Sequence, residues 1–181
     1  MLPVPAAALQ VAIRVAVALV LLTAAYGKAR RMDDFVAAVR NYRLIPERLV
    51  TPLATLLPVV EALAGGALLA DPFDQQGAFL AGILFLLFAL AMGVNLARGR
   101  RTIDCGCDLS GRGQPLSWRL VGRNLGLTAL LGFTLLPARP VEPIVWAAAA
   151  AAAALAFCLY LALHQLWSVA APRPVGASGV R

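Results

Sequence analysis

VTPLATLLPVVEALAGGALLA, residues 50–70, is a long apolar stretch with one charged residue, Glu61, at its centre. A helix of this length extends about 30 Å, which matches the hydrocarbon core of a bilayer. We therefore predict a transmembrane helix over Val50–Ala70. Pro58 and Gly65 fall on the same helical face as Glu61. A carboxylate in the bilayer is costly unless it is protonated or paired, so Glu61 is expected to face the bundle interior or a cavity.

Four further apolar stretches surround this one, and the whole chain has a membrane-protein composition. Of the 181 residues, 61% are hydrophobic and 14% are charged, whereas a soluble domain is roughly half apolar and a quarter charged. The fold predicted is an all-α polytopic transmembrane bundle, a four-helix core plus a fifth C-terminal span, in one membrane domain over residues 1–170. The additional spans are predicted at Ala6–Gly27, Ala78–Ala97, Leu120–Leu136 (the shortest) and Ile144–Val169.

The segments that flank these spans predict three smaller features. Phe35, Val39 and Tyr42 recur at helical spacing between charged residues, which predicts a short amphipathic helix in the membrane surface, ended by Pro46. No basic residue precedes the first span, so we expect an uncleaved anchor. Residues 171–181 are rich in Pro, Gly and Ser and are predicted to be a disordered tail.

Lysine and arginine residues alternate with the spans and predict the orientation. The first connecting segment has six of them and the third has five, whereas the second segment, DPFDQQG, has none. The positive-inside rule then places the N-terminus outside a bacterial cytoplasmic membrane and the C-terminus in the cytoplasm. The net charge of +7 follows this alternation and forms no basic patch, so nucleic acid is not an expected partner. Arg14, inside the first span, is expected to extend to the outer surface.

DCGCDLSG, residues 104–111, holds the two cysteines that are closest in the sequence, in the third connecting segment. A disulfide between Cys105 and Cys107 is sterically accessible because Gly106 permits the turn, and such a small strained ring exchanges readily. Arg98, Arg100 and Arg101 lie upstream and favour the thiolate, while Asp104 opposes them. Two alternatives stay open: capture of Cu(I) or Zn by the thiolates, or a non-catalytic scaffold in which the cysteines have no role.

Several polar residues near the ends of other spans are candidate partners for Glu61. The functional hypothesis is that Glu61 carries a proton or pairs with a cation; the alternative is a neutral side chain hydrogen-bonded to a neighbouring helix. Asn95 is expected to link helices within the bundle. The candidates are Lys28, Asn95, Arg98, Arg123 and Asn124.

Five motifs in this order resemble the methylamine utilisation protein MauE family, within the wider DoxX-like group of small membrane proteins. The resemblance implies a polytopic helical bundle that helps to mature the disulfide-rich small subunit of methylamine dehydrogenase, beside a thioredoxin-like partner. It also places the redox role on Cys105 and Cys107. Asp108 departs from the Phe-Gly that usually follows Cys-Gly-Cys in the family. The motifs are AAYGK (24–28), FVAAVRNYRLIP (35–46), LPVVEALAG (57–65), NLARGRRTIDCGC (95–107) and RN (123–124).

The sequence thus predicts a membrane-embedded thiol–disulfide redox component, whose enzymatic activity, if it has one, would be that of a thiol–disulfide oxidoreductase. Glu61 with Lys28 or Asn95 would hold the bundle together or move the proton released on oxidation. The sequence requires no cofactor and shows no quinone motif, although a quinone would suit a cavity beside a carboxylate as electron acceptor. One conflict follows: methylamine dehydrogenase matures outside the membrane, whereas the charges place Cys105 and Cys107 inside.

Overall fold

A computed structural model of the protein describes residues 3–103, 115–138 and 140–170, with side chains as far as residue 163. These residues form an all-helical, polytopic membrane fold, as predicted. The six helices of the described ranges are α1 (Val4–Arg30), α2 (Met32–Tyr42), α3 (Glu47–Ala67), α4 (Asp74–Ala97), α5 (Trp118–Thr134) and α6 (Pro143–Ala170).

Within the described ranges, four helices are long and apolar enough to cross a membrane: α1, α3, α4 and residues Pro143–Leu163 of α6. Each coincides with a predicted span to within a few residues. The remaining predicted span corresponds to α5, which has 17 residues and therefore extends only about 26 Å. It packs along α4 in the most extensive interhelical contact of the fold.

The core of the bundle lies around α1, which contacts α3, α5 and α6. Leu21 of α1, Ala64 of α3 and Ala81 of α4 are among its fully buried side chains. A Cβ at Gly65 would lie 3.0 Å from Leu22 Cγ and 3.2 Å from the Ala18 carbonyl oxygen. The helices α1 and α3 therefore approach closely at Gly65.

The predicted short amphipathic helix is α2, and it packs against α3. Phe35 and Ala38 are its buried residues. Asp33 and Asp34 lie in its first turn, where the helix dipole favours negative charge. The helix ends at Tyr42, four residues before the predicted stop at Pro46, because Arg43 has the left-handed φ of 50° often found just after a helix C-terminus; Pro46 instead precedes α3. Its apolar face thus covers one side of the bundle.

Arg14 reaches the helix ends that border the second and fourth connecting segments, on the side predicted to face outside, and its side chain is 18% exposed. Its guanidinium pairs with Asp74 in the first turn of α4 and donates to the Thr134 carbonyl at the end of α5. Gln10, one turn earlier on α1, donates to the Phe133 carbonyl at 2.9 Å. Partners on two helices thus pair the charge of Arg14 at this end of the bundle, while its Nε is buried without a hydrogen-bond partner among the described residues.

Candidate functional site

Glu61, in the middle of α3, forms a buried ion pair with Lys28 in the last turn of α1. Lys28 Nζ lies 2.6 Å from Glu61 Oε1 and 2.8 Å from Oε2, so it donates to both carboxylate oxygens. The two side chains are only 3% and 1% exposed. Pro58 and Gly65 are buried on the same face of α3, as the sequence indicated. Pairing removes most of the cost of holding each charge away from water.

Two aromatic rings complete the surroundings of the lysine. Lys28 Nζ lies 5.4 Å from the ring centroid of Phe35 in α2 and 5.4 Å from that of Phe88 in α4. An ammonium group at this distance is attracted to the negative face of an aromatic ring. The ion pair and the two rings therefore join four helices, α1 to α4, at one point.

Asn95 and Arg100 form a second polar contact at the end of α4. Arg100 Nη1 donates to Asn95 Oδ1 at 3.0 Å and to the Tyr42 carbonyl at 3.2 Å. Asn95 is fully buried and donates to the Ala91 carbonyl of its own helix. Arg100 thus ties the end of α4 to the end of α2. Asn95 was expected to link helices of the bundle, and it does so through Arg100, which lies just beyond the end of α4 and also bonds to the end of α2.

The sequence pattern named Arg100 only as one of three arginines near the cysteines, and this bonding role was missed. Gly99 has a φ of 74°, a left-handed conformation that glycine adopts without strain. It reverses the chain after α4 and brings Arg100 back onto Asn95. A glycine just after the predicted helix end was the signal for this turn. The side chains of Arg98 and Arg101 are exposed.

The remaining candidates lie on α5. Asn124 is 1% exposed and donates to the Leu120 carbonyl of its own helix at 2.9 Å. Arg123, the preceding residue, has an exposed side chain. Exposure separates Arg98 and Arg123 from the buried Glu61, whereas Lys28 lies in direct contact with it.

Cys105 and Cys107 lie outside the described residues, but the chain on either side of their segment is anchored. Ile103 is buried in a cluster with Met92 and Leu96 of α4, and Tyr42 packs against this cluster. The Leu116 amide donates to the Ile103 carbonyl at 3.1 Å. The residues that flank the cysteine segment, Ile103 and Leu116, therefore lie side by side near the end of α4.

A cavity of about 490 Å³ lies between α2, α3 and α4, and Lys28 forms part of its wall. Its volume is within the 300–1,000 Å³ typical of small-molecule sites. The other lining residues are apolar except Tyr42. The inner wall includes Phe35 and Phe88, whose rings flank the lysine. The ion pair is thus positioned beside a space that a small molecule can occupy.

The fold and this site define a multi-pass α-helical membrane protein with a buried lysine–glutamate pair beside an apolar cavity. The sequence profile of the family described as Methylamine utilisation protein MauE matches residues 6–137, more than half of the chain. The chain belongs to the MauE family, as its motifs suggested.

Relatives from three bacteria illustrate the membership, each named Methylamine utilization protein MauE. The Paracoccus denitrificans protein is 39% identical over 163 residues, 88% of this chain and 88% of the relative. The Methylorubrum extorquens protein is 44% identical over 131 residues, 72% of this chain and 70% of the relative. The Methylophilus methylotrophus protein is 43% identical over 129 residues, 70% and 66% of the two chains. No solved structure matches the chain.

Proposed function

We propose that this protein is a membrane-embedded thiol–disulfide redox component of methylamine utilisation, in which Cys105 and Cys107 alternate between dithiol and disulfide. Membership of the MauE family supports the physiological setting. The observation that carries the redox role is the position of the cysteines inside the matched region, directly after the Arg100 and Ile103 anchors. A reactive pair needs such a fixed base if it is to meet a partner in a defined geometry.

The proposed step is an exchange with a dithiol of a thioredoxin-like partner. A partner thiolate attacks the Cys105–Cys107 disulfide and forms a mixed disulfide, which the second partner thiol resolves. The partner leaves oxidised and passes its disulfide to a client, for which we propose the small subunit of methylamine dehydrogenase. Cys105 and Cys107 are left as thiols, and their two electrons and two protons must then pass to an acceptor.

Charged residues near the motif have supporting roles in this proposal. The exposed guanidinium groups of Arg98 and Arg101 favour the thiolate form of the nearby cysteines. The Lys28–Glu61 pair joins four helices and either holds the bundle together or moves the proton released on oxidation. Asn95 fixes the turn after α4 through its bond with Arg100. On α5, Asn124 is buried and Arg123 beside it is exposed, and both are supporting residues in this proposal.

Trapping a mixed disulfide tests the redox role. In a Cys158→Ser background, which removes the exposed cysteine of α6, a partner variant without its resolving cysteine is expected to accumulate a covalent complex with this protein, and neither Cys105→Ser nor Cys107→Ser is expected to form it by this step, because each lacks the disulfide that the partner attacks. Non-reducing electrophoresis with and without dithiothreitol measures it. We expect the client's disulfides to remain unformed in both variants and to form normally in Cys158→Ser alone.

Two results would contradict this proposal and favour an alternative. Full client maturation with both Cys105 and Cys107 replaced by serine would favour a non-catalytic scaffold for the partner. Copper or zinc that copurifies with the reduced protein, and is lost from the serine variants, would favour metal capture.

The orientation is a separate proposal, and thiol labelling tests it. From the distribution of lysine and arginine we place the N-terminus outside and the Cys-Gly-Cys segment in the cytoplasm. Direct exchange with the partner of a client that matures outside would instead require the segment outside, and the labelling distinguishes the two. In cells treated with a permeant reductant, a membrane-impermeant maleimide is expected to spare Cys105 and Cys107. The control is Gln75→Cys, at the exposed start of α4 on the opposite side, which is expected to be labelled. If Cys105 and Cys107 are labelled and Gln75→Cys is protected, the orientation of the protein is the opposite of the one proposed.

A further inference from the structure

The cavity beside Lys28 has a polar inner end and an apolar mouth. Lys28, Phe35 and Met92 are buried at the inner end, each less than 10% exposed. Leu87 and Leu90 of α4 also line the cavity, yet they are 53% and 57% exposed. Because α4 is long and apolar enough to span the membrane, these leucines face hydrocarbon. The cavity therefore opens towards the lipid and admits molecules from the bilayer.

We propose that this cavity binds an isoprenoid quinone, with the ring at Lys28 and the tail extending past the leucines into the bilayer. Lys28 has three N–H donors, and Glu61 accepts from this ammonium group through both of its oxygens. A ring carbonyl approaching the ammonium completes its set of acceptors. Phe35 and Phe88 flank the same nitrogen and offer apolar faces to the ring.

The arrangement of polar and apolar groups distinguishes a quinone from an ordinary lipid. A phospholipid acyl chain entering from the bilayer would place its methyl end against the ion pair, where it satisfies no donor. A fatty acid would enter head first, but its carboxylate would approach Glu61, which already neutralises Lys28. A neutral carbonyl at the leading end of an apolar molecule avoids both penalties.

The cavity also adjoins the base of the cysteine segment. Tyr42 lines the cavity and packs against the cluster that contains Ile103, two residues before Cys105. Phe88 also lines the cavity and packs against that cluster, and Arg100 donates to the Tyr42 carbonyl.

The redox step between the cysteines and the quinone rests on the proposed function. Two thiols and one quinone give one disulfide and one quinol: the sulfur atoms lose two electrons, and the two thiol protons move to the ring oxygens. Lys28 stabilises the charge that develops on the nearer oxygen.

Decylubiquinone binding to the purified full-length protein in nanodiscs tests the inference. Ala91→Phe fills the cavity from α4, and we expect it to weaken binding at least tenfold in equilibrium dialysis. Ala97→Phe makes the same substitution at an exposed position of the same helix, outside the cavity lining, and should bind as the wild type does. The double variant Lys28→Met with Glu61→Leu removes the donor without leaving a lone charge, and it should also lose at least tenfold.

Competition and a redox measurement complete the experiment. Palmitate that displaces decylubiquinone at equal concentration would overturn the inference in favour of a lipid-tail site, as would wild-type binding by Ala91→Phe. Failure of the redox proposal is distinguishable, because a Cys105→Ser, Cys107→Ser protein would still bind decylubiquinone. In Ala91→Phe we expect the mixed disulfide with the partner to form, while reoxidation of the dithiol by decylubiquinone slows at least tenfold.

Discussion

Replacing Lys28 with methionine is expected to lower the free energy of unfolding by about 3–5 kcal/mol, because Glu61 then stays buried without its cation. The side chains differ little in length, so lost packing contributes little. Glu61 is 1% exposed, so the carboxylate left without its partner stays away from water. Unfolding in mixed micelles with increasing SDS, followed by circular dichroism, measures the change.

Two matched comparisons separate the loss of the pair from the loss of a lysine. The double variant Lys28→Met with Glu61→Leu is expected to recover most of the stability, because no charge is left uncompensated. Arg40 and Glu47 form an ion pair with side chains 50% and 67% exposed, so Arg40→Met should cost at most about 1 kcal/mol. Equal losses in the single and double variants would contradict this account of the site.

This energetic argument bears on why the pair is present. A buried ion pair is weak evidence for stability, since apolar residues of similar volume often serve a fold as well or better. The bundle has ample apolar packing on both sides of the pair, at Leu21 and Ala64 and at Met92 and Leu96. Stability therefore does not require this charged contact. Its position next to a cavity that opens to lipid favours a role in binding a ligand.

The helices could be predicted from the sequence because hydropathy alone defines them. In lipid every backbone group must bond within its own helix, so an apolar run of about 20 residues permits little else. Glu61 was identifiable for the same reason, as the charge that the bilayer makes costly. Its pairing with Lys28, 33 residues earlier, depends on how α1 crosses α3. No local pattern encodes that crossing, and five polar residues were therefore equal candidates.

Arg14 and Arg100 show the corresponding limit for arginines. Both lie where a topology anchor is expected, and sequence spacing does not distinguish an arginine in lipid headgroups from one that bonds to other elements of the fold. Arg14 bonds at the end of the bundle because Asp74 starts α4 beside it and the end of α5 presents the Thr134 carbonyl. Arg100 turns inward because Gly99 reverses the chain. In each case the deciding group lies on another element or in a turn.

Gly77→Ala is expected to lower the free energy of unfolding by about 1–3 kcal/mol, although alanine is the better helix former. Gly77 lies in the first turns of α4, against the end of α3. A Cβ there would lie 2.5 Å from the Leu68 amide nitrogen and 2.7 Å from the Ala67 carbonyl carbon. Since these are backbone atoms, no side-chain rotation relieves the clash, and the two helices must separate. SDS titration of the purified protein measures the loss.

Gly82, five residues further along α4, provides the control for this prediction. A Cβ at Gly82 meets no atom within 4 Å, so Gly82→Ala should gain about 0.5–1 kcal/mol from helix propensity alone. The same chemical change in the same helix is thus expected to have opposite signs at two positions. Stabilisation by Gly77→Ala would mean that α3 and α4 are not in backbone contact at their hairpin. If Gly77→Val lowers the free energy of unfolding more than Gly77→Ala does, while Gly82→Ala leaves it unchanged or raises it, the backbone contact lies at the start of α4.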